Sequence, residues 1–277
     1  MARGVVDSPM TPAQSALLGE LCLVLRDDPR IGSAWLTGSL AAGRGDPWSD
    51  IDITLVVQGD LISGLLTDLM REDGPLPATA LRLSQFGRLV NGTTPDLQRF
   101  DLLLSTPEEF ARQDAARVRR LFGDPDHAPP PQAPKADAAA AAAAARRIEG
   151  LVTEFLRILS LAPVAIGRQE WIVMQDGVAH LRRLLIELML EENGIGPGER
   201  GGAKKLNPFL TADQRQELEA LVPPRAVRAE LLAANRDLRD RFLPRARRLA
   251  AARGATWPAA WEDTVRDSLA RRLPELG

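Results

Sequence analysis

An Asp-x-Asp pair, Asp50 and Asp52, opens the apolar run Ile51 to Val57, and the dipeptide Gly38-Ser39 stands ten residues ahead of it. Side chains two residues apart on a strand share one face. Two like charges side by side on an otherwise apolar strand oppose each other and resist desolvation, so a cation is expected between them. Hard carboxylate oxygens suit a divalent metal. The Gly-Ser pair supplies the complement: Gly38 lets the backbone turn sharply, and a short helix starting at Ser39 would offer free amides to an anion. Amides for phosphate beside carboxylates for Mg²⁺ describe a nucleoside triphosphate site. A second acidic strand, Leu97 to Leu104, carries Asp101 among apolar neighbours. Burying that carboxylate requires a cation or a hydrogen-bond network. Asp96, behind Pro95, competes for the same role, but its place in a turn suits an ordinary capping function.

The elements that must position these groups are legible around them. Thr11-Pro12-Ala13-Gln14 reads as a capping box with proline at the first helical position, opening a helix to about Arg26. Ile31 to Thr37 reads as a strand that breaks at Gly38, and Asp60 to Arg71 as an amphipathic helix. Strands are expected over Thr79 to Phe86 and Gly87 to Asn91, and a helix capped by Thr106 with Pro107 at its start. Arg112, Arg117, Arg119 and Arg120 read as mostly solvated, with one of them able to reach a phosphate. The run Ala128-Pro129-Pro130-Pro131 admits neither helix nor central strand and marks a linker; His127 beside it reads as exposed and idle.

Everything after the linker reads as helical: Ala136 to Leu161, Arg168 to Glu192, Thr211 to Leu221, Arg225 to Leu249, and a last helix holding Trp261, Val265, Leu269 and Leu273. On the second of these, Asp176, His180, Arg183 and Glu187 share a face. That stripe reads either as solvated ion pairs or as the wall of a substrate cleft with Glu187 or Asp176 as a general base. Lys204-Lys205, after a glycine-rich loop, reads either as a surface pair or as cations that close on phosphates.

Gly38-Ser39, ten residues, then Asp50-Ile51-Asp52-Ile53 resembles the signature of the polymerase-β-like nucleotidyltransferase superfamily. The resemblance implies that the Gly-Ser turn holds the triphosphate and that Asp50 and Asp52 bind Mg²⁺, with Asp101 matching the third carboxylate. The layout resembles the small-molecule branch, which includes aminoglycoside adenylyltransferases and lincosamide nucleotidyltransferases. It implies an α+β fold: a mixed-sheet catalytic domain over residues 1–127, a proline-rich linker at 128–135 and an all-helical substrate-binding domain over 136–277. The implied reaction is transfer of AMP from ATP, or of another nucleotide, to a small-molecule hydroxyl, with two Mg²⁺ ions as cofactors. Asp50, Asp52, Asp101 and Glu187 are the expected catalytic residues, and Gly38, Ser39, Arg44 and Lys204 the expected phosphate contacts. An RNA- or protein-modifying, toxin-like nucleotidyltransferase and a nucleotide-binding protein without transfer activity are the alternatives.

The 277 residues give room for two ordinary domains. The net charge of −2, with both signs interspersed, argues against a broad nucleic-acid surface. No apolar run suggests a membrane span or a signal peptide, and a single cysteine, Cys22, excludes an internal disulfide. A cytoplasmic monomer or homodimer is the corresponding expectation.

Overall fold

The computed structural model describes residues 10–131, 137–197 and 205–276. The chain is α+β and divides into two compact units, Met1–Ala133 and Pro134–Gly277. The proline-rich segment therefore holds the division, although residues 132–136 lie outside the described ones.

The first unit is built on a six-stranded sheet. In chain order its elements are α1 (Pro12–Arg26), β1 (Ile31–Leu36), α2 (Gly38–Ala41), β2 (Ile51–Val57), α3 (Ile62–Met70), β3 (Leu81–Gln85), β4 (Leu89–Thr93), β5 (Arg99–Ser105), α4 (Pro107–Phe110) and β6 (Arg119–Gly123). The strand order is β3-β4-β5-β2-β1-β6. Only β2 and β5 run parallel, and all other pairs are antiparallel. Parallel neighbours need a crossover; here α3 and the β3–β4 hairpin provide it. Leu17, Leu21 and Leu25 of α1 join Leu65 and Leu69 of α3 and Ile51, Ile53 and Leu55 of β2 in one core. A smaller cluster forms around Trp35, Val56 and Phe110, with the two ring centroids 5.3 Å apart.

The α1 capping box does more than start a helix. Thr11 and Gln14 exchange the two reciprocal bonds, and Gln14 Nε2 then donates to the carbonyls of Asp46 (3.0 Å) and Ser49 (2.8 Å). Gln14 is fully buried. The start of α1 thus anchors the loop that delivers Asp50.

Three expectations for this unit are corrected. The hairpin turn falls at Phe86-Gly87, both at positive φ (53° and 67°), so the second strand starts later and runs to Thr93. A phenylalanine in the left-handed region gives no sequence cue. Arg112, Arg117 and Arg120 are exposed and Arg119 is half-buried, as mostly solvated side chains should be, but Arg119–Gly123 forms an unexpected edge strand, β6 on β1; short, charged edge strands look like loops in sequence. His127 is not idle. Its Nδ1 lies 2.9 Å from Ser33 Oγ, which also accepts from Trp35 Nε1 at 2.9 Å, and a Cβ on Gly32 would lie 2.7 Å from its ring.

The second unit consists of α5 (Asp137–Gly167), α6 (Trp171–Glu192), α7 (Ala212–Glu219), α8 (Arg228–Arg253) and α9 (Ala259–Arg272). Helix α5 runs one and a half turns past the expected end, carrying Pro163 inside it. Its stretch Ala138–Gly167 is long and apolar enough to cross a membrane, against the expectation that no apolar run is. Alanine supplies much of that apolarity, while Ile148, Val152, Phe155, Leu156 and Leu159 pack at helical spacing into the unit's core. There Phe155 stacks on Phe242 of α8, centroids 3.8 Å apart. Gly254, at φ 65°, ends α8 with a left-handed cap.

Candidate active site

Strand register brings the acids together. Asp52 of β2 pairs directly with Asp101 of the parallel β5, and Asn91 of β4 pairs with Asp101 from the other side. Asp50, two residues before Asp52, completes the group. One carboxylate oxygen from each of Asp50, Asp52 and Asp101 lies within 4.8 Å of the others, and all three residues are half-buried. Three anions at that separation repel one another strongly unless a cation compensates.

Gly38 is built into the same site. Its φ of 66° favours glycine, and a Cβ there would lie 1.9 Å from Asp52 Oδ2 and 2.7 Å from its Cγ. The turn therefore closes directly on the carboxylate. The Thr37 amide donates to the Asp52 carbonyl at 2.8 Å, tying turn and strand together. The amides of Gly38 and Ser39 precede the first intrahelical bonds of α2. Ser39 is half-buried and its carbonyl accepts from the Arg44 amide at 2.9 Å; Arg44 itself is exposed in the loop after α2.

Asn91 is the residue that sequence reasoning missed. Its Nδ2 donates to Asp101 Oδ1 at 2.7 Å, which restrains the carboxylate's rotation. Its own Oδ1 is buried with no hydrogen-bond partner. An orphaned buried acceptor beside three carboxylates adds to the demand for a cation or its bound water. The donor set, all hard oxygens, fits a divalent ion such as Mg²⁺. Asp96 takes the turn role expected of it: it is exposed and accepts from Thr94 Oγ1.

The two remaining predicted residues fall within the span of the second unit, Pro134–Gly277. Glu187 is half-buried on α6 of the helical unit, and Lys204 lies outside the described residues. Of the stripe on α6, Asp176 is exposed, while His180 reaches Glu154 of α5 at 3.4 Å. Arg157 holds the Glu154 carboxyl below the usual range through two hydrogen bonds.

No protein-family model matches the sequence, and no curated protein does. Among solved structures, the chain is similar to the crystal structure of an aminoglycoside 6-adenyltransferase from Bacillus subtilis. The match is 13% identical, covers 92% of this chain and 95% of that one, and has a TM-score of 0.40.

Proposed function

We propose that the chain is a metal-dependent nucleotidyltransferase that moves a nucleoside monophosphate, AMP from ATP in the first instance, to a hydroxyl of a small molecule. The observation that carries this reading is the convergence of Asp50, Asp52 and Asp101 directly against the Gly38 turn. Two Mg²⁺ ions held by these acids would supply charge neutralisation for the phosphates and for the attacking and leaving oxygens. Gly38 and Ser39 orient the triphosphate through their amides, with Arg44 and Lys204 as candidate cations beside it. Asp101, its Oδ1 occupied by Asn91, presents Oδ2 to ligand or to the proton of the acceptor hydroxyl. Glu187 is the candidate base from the helical unit. The acceptor we propose is an aminoglycoside or lincosamide antibiotic.

Pyrophosphate release from each nucleoside triphosphate with Mg²⁺, across a panel of those drugs, tests the reading. Release that depends on one drug and falls at least ~10³-fold in Asp50→Asn/Asp52→Asn is the expected result. Metal-dependent triphosphate binding with no release on any drug would sink the antibiotic reading and redirect the search to an RNA or protein acceptor.

A further inference from the structure

The helical unit contains a cavity of about 520 Å³ between α5 and α6, reaching Asn235 of α8. It has the size of a small-molecule site. Its deep wall is formed by Ala162, Met174 and Asn235, which are 6%, 4% and 4% exposed, and Ile158, Ala165 and Val173 continue it outward. The apolar wall does not end in a covered core: Val173 remains 59% exposed at the edge. Five charged or titratable residues also line the cavity, Arg157, Arg168, Glu170, Asp176 and His180, and all five are exposed, unlike the deep wall.

Two features distinguish this space from a packing fault. The first is Asn235. Its Nδ2 donates to the Leu231 carbonyl at 2.8 Å. That bond fixes the amide, because the reverse orientation would set Oδ1 against a carbonyl oxygen. Among the described residues, no donor reaches Asn235 Oδ1. Asn235 is 4% exposed and borders the cavity, so its open acceptor stands on a largely apolar wall where the N–H or O–H of an occupant would serve it. The second feature is Gly177, inside the 22-residue helix α6 and on the cavity wall. Glycine there costs about 1 kcal/mol of helix stability relative to alanine. Packing does not demand it: the nearest atom to an added Cβ is Ile158 Cγ2 at 3.8 Å, an ordinary contact. What the missing side chain preserves is the open volume.

We propose that this cavity is a binding site for a small, mainly apolar molecule carrying a hydroxyl or amine hydrogen, which Asn235 Oδ1 receives. A polycationic sugar would leave most of its polar groups unpaired against the wall, so the site selects a different chemistry from an aminoglycoside. It is independent of the carboxylate group on the sheet and does not rest on transfer activity.

The full chain would be titrated with indole, a flat apolar probe with one N–H and no strong acceptor, and with 1-methylindole, which lacks the hydrogen. Ligand-observed NMR would give the two dissociation constants. The expected result is saturable one-site binding of indole, with 1-methylindole about tenfold weaker. Asn235→Ala should erase that difference. Gly177→Leu should abolish binding of both probes while far-UV circular dichroism and the melting temperature hold, since leucine favours the helix and fills the space. That second variant keeps the test open if Asn235→Ala fails to fold. No saturable binding by the natural chain, equal binding of the two probes, or wild-type affinity in Gly177→Leu would each overturn the proposal.

Discussion

The two units handle partly buried charge in opposite ways. In the sheet unit, Asp50, Asp52 and Asp101 bring like charges to one point. In the helical unit, acids meet arginines: Glu191, 5% exposed, takes a two-bond contact from Arg147 of α5 at 2.8 and 3.0 Å, and Arg245 of α8 bridges Glu192 and Glu217. The pairing raises the Arg147 pKa through the Glu191 hydrogen bonds. Opposite charges in hydrogen-bond contact satisfy each other and hold helices in register. Like charges in the same situation cost stability, and a fold keeps them only where something else supplies the compensation. The difference separates a site from a fastening.

Substitutions can break that contrast in either unit. The largest effect should come from the fastening. Arg147→Met removes the two-bond partner of a buried carboxylate and should cost roughly 3 kcal/mol of stability in urea unfolding. Arg147→Met with Glu191→Leu should recover most of it, because the desolvated charge goes as well. If the single variant were neutral, the pairing would not be what holds α5 to α6.

The site side should respond the other way, in chemistry before stability. Gly38→Ala places a methyl on the Asp52 carboxylate and forces a left-handed backbone on alanine. Pyrophosphate release should fall about 10²-fold, with a stability loss of only ~1–2 kcal/mol. Asn91→Ala frees the Asp101 carboxylate to rotate. A roughly tenfold fall in rate is expected, together with weaker Mn²⁺ binding measured by electron paramagnetic resonance in the absence of nucleotide. Asn91→Ser, which keeps a donor, should restore part of both.

The smallest expected effect sharpens the comparison inside the sheet unit, where acids outside the carboxylate group do have arginines. Arg30 bonds Asp28 and Asp68, and its hydrogen bond holds the Asp28 carboxyl below the usual range. A lowered folded pKa stabilises above the ordinary carboxylate value, near pH 4, and that contribution disappears as pH falls through the folded value. Asp28→Asn should therefore lose about 1 kcal/mol at pH 7 and little at pH 2, read from urea midpoints at the two pH values.

How much of this was legible beforehand depends on the distance over which each feature is encoded. The Gly38-Ser39 turn, the Asp50-x-Asp52 alternation and the Thr11 capping box are local patterns of two to four residues, and backbone geometry makes them readable in a sequence. The parallel pairing of β2 with β5 spans the whole crossover between them. That pairing, and not any pattern around Asp101, sets it opposite Asp52 and puts Asn91 on its other side. The sequence pointed to Asp101 through the cost of an acid in an apolar run, but Asn91, at the end of an expected strand, carried no cue to its partner.

The same division runs through the molecule. Local propensity and periodicity determined on their own that an alternating, acid-bearing first half is followed by a helical second half. Packing at long range decided that Gln14 anchors the loop before Asp50, that His127 docks on Ser33 and that Arg147 meets Glu191. Each of these is a hydrogen bond between residues tens of positions apart, and its partner is chosen by which backbones the hydrophobic cores bring into contact. A sequence states which groups need a partner; only the folded chain supplies it.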